Sequence, residues 1–435
     1  MKWPFAFKAM QPTRIAAADG VELVLEDGRR ILDAAGGAIV ANVGHGRRQV
    51  ADAMRDALLR CSYAVPPWLT PERERLLDRL ATDWLPANLT RVHLTCSGSE
   101  GVEAALKIVA AYQAARGLPS KTKVIARTPS YHGVTLATLG IGGHESRKAG
   151  LRHVLVDAPR VPAPYPLRDP GGDGVAAYVA AIEETITREG PETVAALLAE
   201  PIVGSSGGAL VPPPDYWPQV RALCDRHDIL LVTDEVMTGF GRTGATFALD
   251  HFPGTTADVM VAGKGMAGGY APITGVFATE VIGSAIATAG LDVMFHTFAA
   301  QPAACAAADE VLTILTDEDL VRRAAVTGSR LKADLEEAFG QHPHVAEVRG
   351  EGLLLAIEIV ADRATLARFP ASARLSGRVL GEAFARGVSF YPGGNGEIRD
   401  VVVMGPPFTI TDVDADRIVT TLVAAVDAAV AATNR

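Results

Sequence analysis

Two apolar runs in the middle of the chain constrain its fold more than any other feature. Residues 229–232 are an uninterrupted aliphatic stretch that ends in Thr233, Asp234 and Glu235, and residues 259–262 form a second one that leads into Gly263, Lys264 and Gly265. Short apolar runs without alternation read as strands buried on both faces, as in a parallel sheet. Open α/β sheets bind ligands at the carboxyl ends of their strands. Two such strands side by side would bring an acid and an amine to that edge.

The flanking pattern agrees. Expected strands at 92–95, 123–126, 194–199, 229–232, 259–262 and 273–278 alternate with helices at 101–116, 175–188 and 215–227, the signature of a parallel sheet covered by helices. Ahead of them come alternating residues at 21–25 with a turn at Asp27-Gly28, which predict a β-ribbon. Bends at Gly36-Gly37 and 44–46, a helix at 47–60, a proline-broken aromatic loop at 62–70 and a helix at 72–85 follow. Beyond a helix at 303–315 the pattern becomes α+β: a charged helix at 320–339, a hairpin at 345–359 around Gly350-Glu351-Gly352, a helix at 374–386, a strand at 401–404 and a final helix from Val413. Glycine and proline mark 159–174 and 391–396 as loops, and no internal repeat is visible. The 435 residues therefore divide into an N-terminal segment of a small domain at 1–50, a large domain at 51–310 and the rest of the small domain at 311–435.

Composition narrows the function classes. A net charge of −9 with scattered arginines argues against nucleic acid as a partner. Cys61, Cys96, Cys224 and Cys305 are too dispersed for a disulfide frame or zinc cluster and read as buried thiols, and the histidines lack ligand-like company, so no metal is expected. Asp427 interrupts the apolar run at 422–432, which leaves no expected membrane span, and Met1-Lys2-Trp3-Pro4-Phe5 does not resemble a secretory leader. A cytoplasmic location follows.

Three further stretches carry chemistry beside Asp234-Glu235 and Lys264. Cys96-Ser97-Gly98-Ser99-Glu100 joins a strand to a helix, and a small-residue turn at a helix N-terminus presents free N–H groups that can hold a phosphate, although a plain cap by Ser97 or Ser99 has the same spelling. Tyr131-His132-Gly133 follows another strand, and Glu200-Pro201, Asp234-Glu235 and Lys264 each terminate an apolar run. Ionisable groups at three successive strand ends cost free energy unless they are paired or bound. A lysine, a phosphate cradle, an aromatic ring that can stack and a carboxylate that can keep a ring nitrogen protonated together describe pyridoxal 5′-phosphate. Two other motifs fail. Gly239-Phe240-Gly241-Arg242-Thr243-Gly244 spells a dinucleotide turn, but no convincing helix follows it. Gly263-Lys264 resembles the end of a P-loop, yet Asp258 stands at the first glycine position and Gly265 at the magnesium-binding hydroxyl.

Taken together, 97–107, Tyr131-His132-Gly133, Glu200-Pro201, 234–244, Lys264-Gly265 and His296-Thr297-Phe298 resemble the class III aminotransferases, which are fold type I pyridoxal-phosphate enzymes. The resemblance spans about residues 31–408. It implies a large domain with a mostly parallel seven-stranded sheet, a small α+β domain built from both chain ends, and a homodimer with shared active sites. It makes Lys264 the Schiff-base lysine, with Asp234 on the pyridine nitrogen, Val236 under the ring and Tyr131 on its other face. Gly98 and Ser99 would bind the phosphate, His132 would lie close by, Glu200 would support the ring-binding region, and Thr297 would reach the phosphate of the neighbouring subunit. The implied reaction is ping-pong transfer of an amino group from a primary amine or amino acid to a small oxo acid through pyridoxamine phosphate. Decarboxylation, epimerisation or carbon-bond formation on the same scaffold, and non-catalytic dimeric binding, are the alternatives. Four positions depart from the pattern: Ser205 where some branches gate a substrate arginine with glutamate, Met237 where many have glutamine, Ala299-Ala300-Gln301 after Thr297, and Arg399 as the only candidate for a C-terminal carboxylate-binding arginine. Tyr63, Trp68 and Arg399 are the expected substrate residues.

Overall fold

The computed structural model describes residues 13–169 and 174–433. The reading of Met1 to Phe5 lies outside these residues, as does the 170–173 part of the expected 159–174 loop. The central sheet has seven strands in the order Leu89–Thr95, Thr274–Thr279, Val259–Ala262, Leu230–Asp234, Val194–Ala199, Lys123–Thr128 and Arg160–Pro162. Its middle strands are wholly buried, as their unbroken aliphatic sequences require. Neighbours pair in parallel except for Thr274–Thr279, which is antiparallel to both strands beside it. That antiparallel entry corrects the reading of 273–278 as one more repeat of the alternation.

Helices close both faces. Gly98–Ala115 packs on the sheet so tightly that a Cβ on Gly101 would lie 2.8 Å from both Thr274 Cγ2 and Val261 Cγ1. On the other face Tyr216–Arg226 buries Trp217, Val220 and Leu223 against Leu197, Ile229 and Leu231. Arg48–Arg60 and Pro71–Arg79 both pack on Pro302–Asp317.

Two smaller sheets draw on the ends of the described chain. Ile15–Asp19, Glu22–Leu25 and Arg30–Asp33 form a meander, and Arg30–Asp33 pairs in parallel with Val388–Ser389. Val345–Glu351, Leu354–Ile359, Val401–Met404 and Tyr391–Gly393 form an antiparallel sheet. Two expected loops therefore contain edge strands, Arg160–Pro162 and Tyr391–Gly393, whose prolines are tolerated because an edge leaves one side of the ladder free. The helix expected at 72–85 is α-helical over Pro71–Arg79 and widens into a π-type turn at Leu80–Trp84, and the helices Glu280–Thr288 and Leu136–Ile141 were not anticipated. No described helix is long and apolar enough to cross a membrane. Of the four free cysteines only Cys224 and Cys305 are buried, because Cys61 and Cys96 sit at element ends rather than inside them.

The Gly239 to Gly244 motif is a structural joint. Arg242 is buried, donates to the carbonyls of Leu353 (3.1 Å), Pro406 (2.7 Å) and Ala41 (3.4 Å), and stacks its guanidinium 4.7 Å from the Phe408 ring centroid. Burial lowers its pKa and the charge of Asp33 opposes that; a guanidinium satisfied by carbonyls stays charged. The glycines allow close approach: Gly244 has φ 81°, and a Cβ there would lie 2.8 Å from Ala325 Cα. Gly244→Ala should therefore destabilise the protein by about 1–3 kcal/mol. Gly117 has φ 77° with nothing within 4 Å of an added methyl, so Gly117→Ala isolates the backbone penalty. Equal drops in denaturation midpoint for the two variants would refute the packing explanation.

Candidate active site

Three adjacent parallel strands, Val194–Ala199, Leu230–Asp234 and Val259–Ala262, end at one edge, and Glu200, Asp234 and Lys264 stand there. Successive side chains on a strand point to opposite faces, which separates the two neighbouring carboxylates. Glu235 turns away and accepts the N–H groups of Ala248 (3.0 Å) and Leu249 (2.9 Å) and the hydroxyl of Thr238. Burial pushes its pKa up to about 7, although all three donors favour the charged form. Its work is to hold the turn at Ala248–His251.

Asp234 faces the cavity. Its Oδ2 lies 2.8 Å from Nδ1 of the fully buried His132, and its Oδ1 accepts the Val236 N–H at 3.1 Å. With the proton on Nδ1 the imidazole donates to the carboxylate and keeps it oriented; Nε2 is buried without a partner. Glu200 accepts the N–H groups of Tyr131 (3.0 Å) and Gly204 (2.8 Å), so one side chain fastens two loops. Burial raises its pKa, with His132 opposing and Asp234 reinforcing that shift. Beneath it Arg127, lodged 5.2 Å from the Trp217 ring centroid, donates to the Glu200 carbonyl.

Lys264 stands half-buried at the third strand end with φ 44°, a conformation costly for any residue with a side chain. Burial pushes its pKa down to about 8, while Asp234 and Glu200 pull upward and Arg242 downward. Asp234 is paired with His132, so the amine keeps its freedom to meet a ligand.

At the start of Gly98–Ala115 the Ser97 hydroxyl accepts the Glu100 N–H at 3.2 Å, so Ser97 is indeed a cap. Ser99 Oγ instead accepts the Val134 N–H at 3.1 Å. The helical ladder begins with Gly101 N to Ser97 O at 2.8 Å, which leaves the N–H groups of Gly98 and Ser99 ahead of it, the arrangement that attracts anions. Neither glycine here tolerates a side chain: a Cβ on Gly98 would meet Val236 Cγ1 at 2.9 Å and one on Gly133 would meet Ser99 Oγ at 2.7 Å.

These groups enclose a cavity of about 260 Å³. It brings together Gly98, Ser99, Tyr131, His132, Glu200, Asp234, Val236 and Lys264 as expected from sequence. It does not bring in Thr297, Tyr63, Trp68 or Arg399. Thr297 is exposed, Trp68 is 69% exposed, Tyr63 meets Phe298 edge-on at 6.3 Å, and Arg399 is half-buried with Nε unpartnered. Sequence reasoning missed Val40, Cys96, Gly133 and the 271–274 segment as lining residues. Gly36-Gly37 was the available signal for Val40: Asp33 accepts the Gly37 N–H at 2.8 Å, and the bend carries Val40 to the cavity and Asn42 to the Gly265 carbonyl at 2.8 Å.

The sequence pattern of the family described as "Aminotransferase class-III" matches residues 6–426. The chain belongs to the class III aminotransferases. It is 35% identical to the aminotransferase YodT of Bacillus subtilis (strain 168), over 93% of each chain. An (S)-enantioselective omega-transaminase from Thermomicrobium roseum superimposes with a TM-score of 0.90 at 34% identity, covering 96% of this chain and 93% of that one. The omega transaminase from Pseudomonas jessenii, solved in complex with PMP, superimposes with a TM-score of 0.92 at 29% identity, covering 97% and 94%. The fold is that of the fold type I transaminases, and these relatives favour transamination over the decarboxylase, epimerase, carbon-bond-forming and non-catalytic alternatives.

The desolvated lysine of this aminotransferase sets a pH dependence. Folding lowers its pKa from 10.5 to about 8, so between those values the folded chain binds fewer protons than the unfolded one and stability rises with pH. The cost is fully present below the lower value and absent above the higher one. Cofactor-free wild type should therefore lag Lys264→Met in melting temperature at about pH 7 and close the gap by about pH 10, and melting curves that stay parallel would refute the shift.

Proposed function

We propose that the protein is a pyridoxal-phosphate-dependent aminotransferase that moves an amino group from a primary amine or amino acid to a small oxo acid, with Lys264 and Asp234 as its catalytic pair. The observation that carries this reading is the donor set of one cavity: an amine, a carboxylate and two free helix-terminal N–H groups, with an aromatic ring and a valine among its walls. That set fits pyridoxal phosphate, since the Gly98 and Ser99 N–H groups that open onto the cavity have no acceptor within the helix. When bound, the cofactor supplies an aldehyde that condenses with amines and a protonated ring that withdraws electron density from the carbon beside the nitrogen.

In this reading Lys264 would hold the cofactor through its amine and, as a free base, would take up and return the substrate's proton. Its lowered pKa suits an amine that must act as a base near neutral pH. Asp234 would keep the proton on the ring nitrogen, and His132 holds Asp234 in place. Tyr131 and Val236 would flank the ring and Gly98 and Ser99 would receive the phosphate, while Glu200 fixes the loops of Tyr131 and Gly204.

A homodimer completes the proposed site. Leu59, Trp68, Met294 and Phe298 are each more than 60% exposed, and Gln301 Nε2 ties their two segments together by donating to the Ser62 carbonyl at 3.1 Å. An apolar surface of this kind marks a protein contact. Through it Thr297 would reach the phosphate of the second copy, and Tyr63 and Trp68 would join a substrate pocket, with Arg399 as a further pocket residue. We place the enzyme in the cytoplasm. The small domain would comprise 1–50 and 311–435 around a large domain of 51–310, a division supported by the pairing of Arg30–Asp33 with Val388–Ser389.

Protein purified with pyridoxal phosphate should show a visible absorbance band and produce an oxo-acid-dependent aldehyde or ketone from an amine panel. Lys264→Ala should remove the band, and Asp234→Asn should lower kcat/KM by about 100-fold or more while the fold is kept. A colourless protein indifferent to added cofactor would sink the proposal. Sedimentation should find a dimer that Phe298→Asp weakens; an unchanged dimer would move the interface elsewhere.

A further inference from the structure

A small oxo acid brings a carboxylate that must leave water, and a desolvated carboxylate needs a cation, best a guanidinium whose planar fork matches its two oxygens. The cavity wall does not supply one. Its ionisable side chains include Glu200, Asp234, the His132 that pairs with Asp234, and Lys264, but no arginine. Arg242, the buried guanidinium whose charge acts on Lys264, is occupied by three carbonyls. The substrate acid has to be met from the rim.

We propose that Arg147 receives the carboxylate of the oxo-acid substrate, and of the amino acid formed from it; this rests on the aminotransferase reading above. Its Cζ lies 4.8 Å from the ring centroid of Tyr131, which lines the cavity. The residue is exposed, and none of the described ion pairs takes up its guanidinium. The neighbouring cations are occupied, because Glu145 binds both Lys148 (2.9 Å) and Arg152 (2.5 Å). One guanidinium is thus left free on this turn, and it is the one against the cavity wall.

The backbone beneath it is fixed. Gly143 N–H donates to Ser130 Oγ at 2.9 Å, one residue from Tyr131, and Asn395 Nδ2 donates to the Gly143 carbonyl at 3.1 Å. Arg147 N–H closes a turn onto the His144 carbonyl at 3.1 Å. The 393–396 loop packs against the same segment, since a Cβ on Gly396 would lie 3.2 Å from Ser146 Cβ. An anchored backbone with an unpaired side chain lets the guanidinium stay over Tyr131 for an acid and swing toward solvent for an uncharged amine. His144, on the same turn, is held toward its neutral form by burial and by the charge of Arg147, so it does not compete for the carboxylate. Neither Arg147 nor Arg399, the arginine favoured by sequence on the adjoining loop, lines the cavity itself, but Arg147 stacks on a residue that does.

The test uses the cofactor-loaded enzyme with pyruvate and with butanal, an acceptor without a carboxylate. In Arg147→Gln, kcat/KM for pyruvate should fall roughly 10- to 100-fold, the loss of a charged hydrogen-bonded contact, mainly through KM. Turnover of butanal should stay within about twofold, and Arg147→Lys should recover part of the loss. The dissociation constant of propionate, an unreactive carboxylate, should rise in parallel by calorimetry. An unchanged pyruvate KM in Arg147→Gln, equal losses with pyruvate and butanal, or a loss carried by Arg399→Gln alone would overturn the assignment. If wild type turned over neither acceptor, the aminotransferase reading would have failed, and propionate would decide separately: weakened binding in Arg147→Gln supports the carboxylate site, unchanged binding refutes it.

Discussion

Burying an amine and two carboxylates at one sheet edge is the constraint to which the rest of the structure answers. Glu200 and Asp234 come fully out of water, and Lys264 partly, because their strands are the middle ones of a sheet covered on both faces. Isolated, each charge would cost several kcal/mol of desolvation. The surroundings offset this unequally. Asp234 has an imidazole and an N–H, and Glu200 has two N–H groups, but Lys264 has only the field of the two acids. The least compensated group is therefore the amine, and its lowered pKa follows from that imbalance.

That arrangement dictates what lies around it. A strained Lys264 backbone persists only if its neighbours overdetermine it. Asn42 holds the Gly265 carbonyl, and residues 34–42 are in turn held by Arg242 at the Ala41 carbonyl, by Phe408 N–H at the Asn42 carbonyl (2.7 Å) and by Gly405 N–H at the Ala34 carbonyl (2.8 Å). Segments more than 350 residues apart in sequence thus converge behind one lysine. The joint at Gly239 to Gly244 belongs to the same assembly, which explains its glycines without any nucleotide.

How much of this was legible in the sequence depended on whether the determinant was local. Burial on both faces shows directly as unbroken aliphatic runs, so 194–199, 229–232 and 259–262 marked the right strands and their ends marked Glu200, Asp234 and Lys264. The loop at Gly98 and Ser99 was readable for the same reason, since helix starts have local spelling. The antiparallel direction of Thr274–Thr279 was not, because an apolar run carries no direction. Nor were the edge strands Arg160–Pro162 and Tyr391–Gly393, where two or three residues with a proline look like any loop. Val40 reaches the cavity only through a long-range packing of the Gly36-Gly37 bend against the C-terminal segment, where a Cβ on Gly36 would strike the Gly405 carbonyl.

The same distinction separates cofactor from substrate in the site. The groups suited to pyridoxal phosphate come from strand ends and one helix start, so their positions are set by the sheet and vary little with loop sequence. The wall that a substrate would touch comes instead from Val40, Met237 and residues 271–273, all on connections, with the turn carrying Arg147 behind Tyr131. Connections can change without disturbing the sheet. A class III aminotransferase can therefore keep Lys264 and Asp234 while Ser205 and Met237 depart from the pattern of other branches, and the identity of its acids and amines is a property of the rim. On the turn beside that rim, the guanidinium stacked on Tyr131 is left without a carboxylate, while Lys148 and Arg152 share Glu145. Electrostatic selection of an acid over a neutral carbonyl compound then depends on a single side chain whose backbone is anchored and whose guanidinium is not.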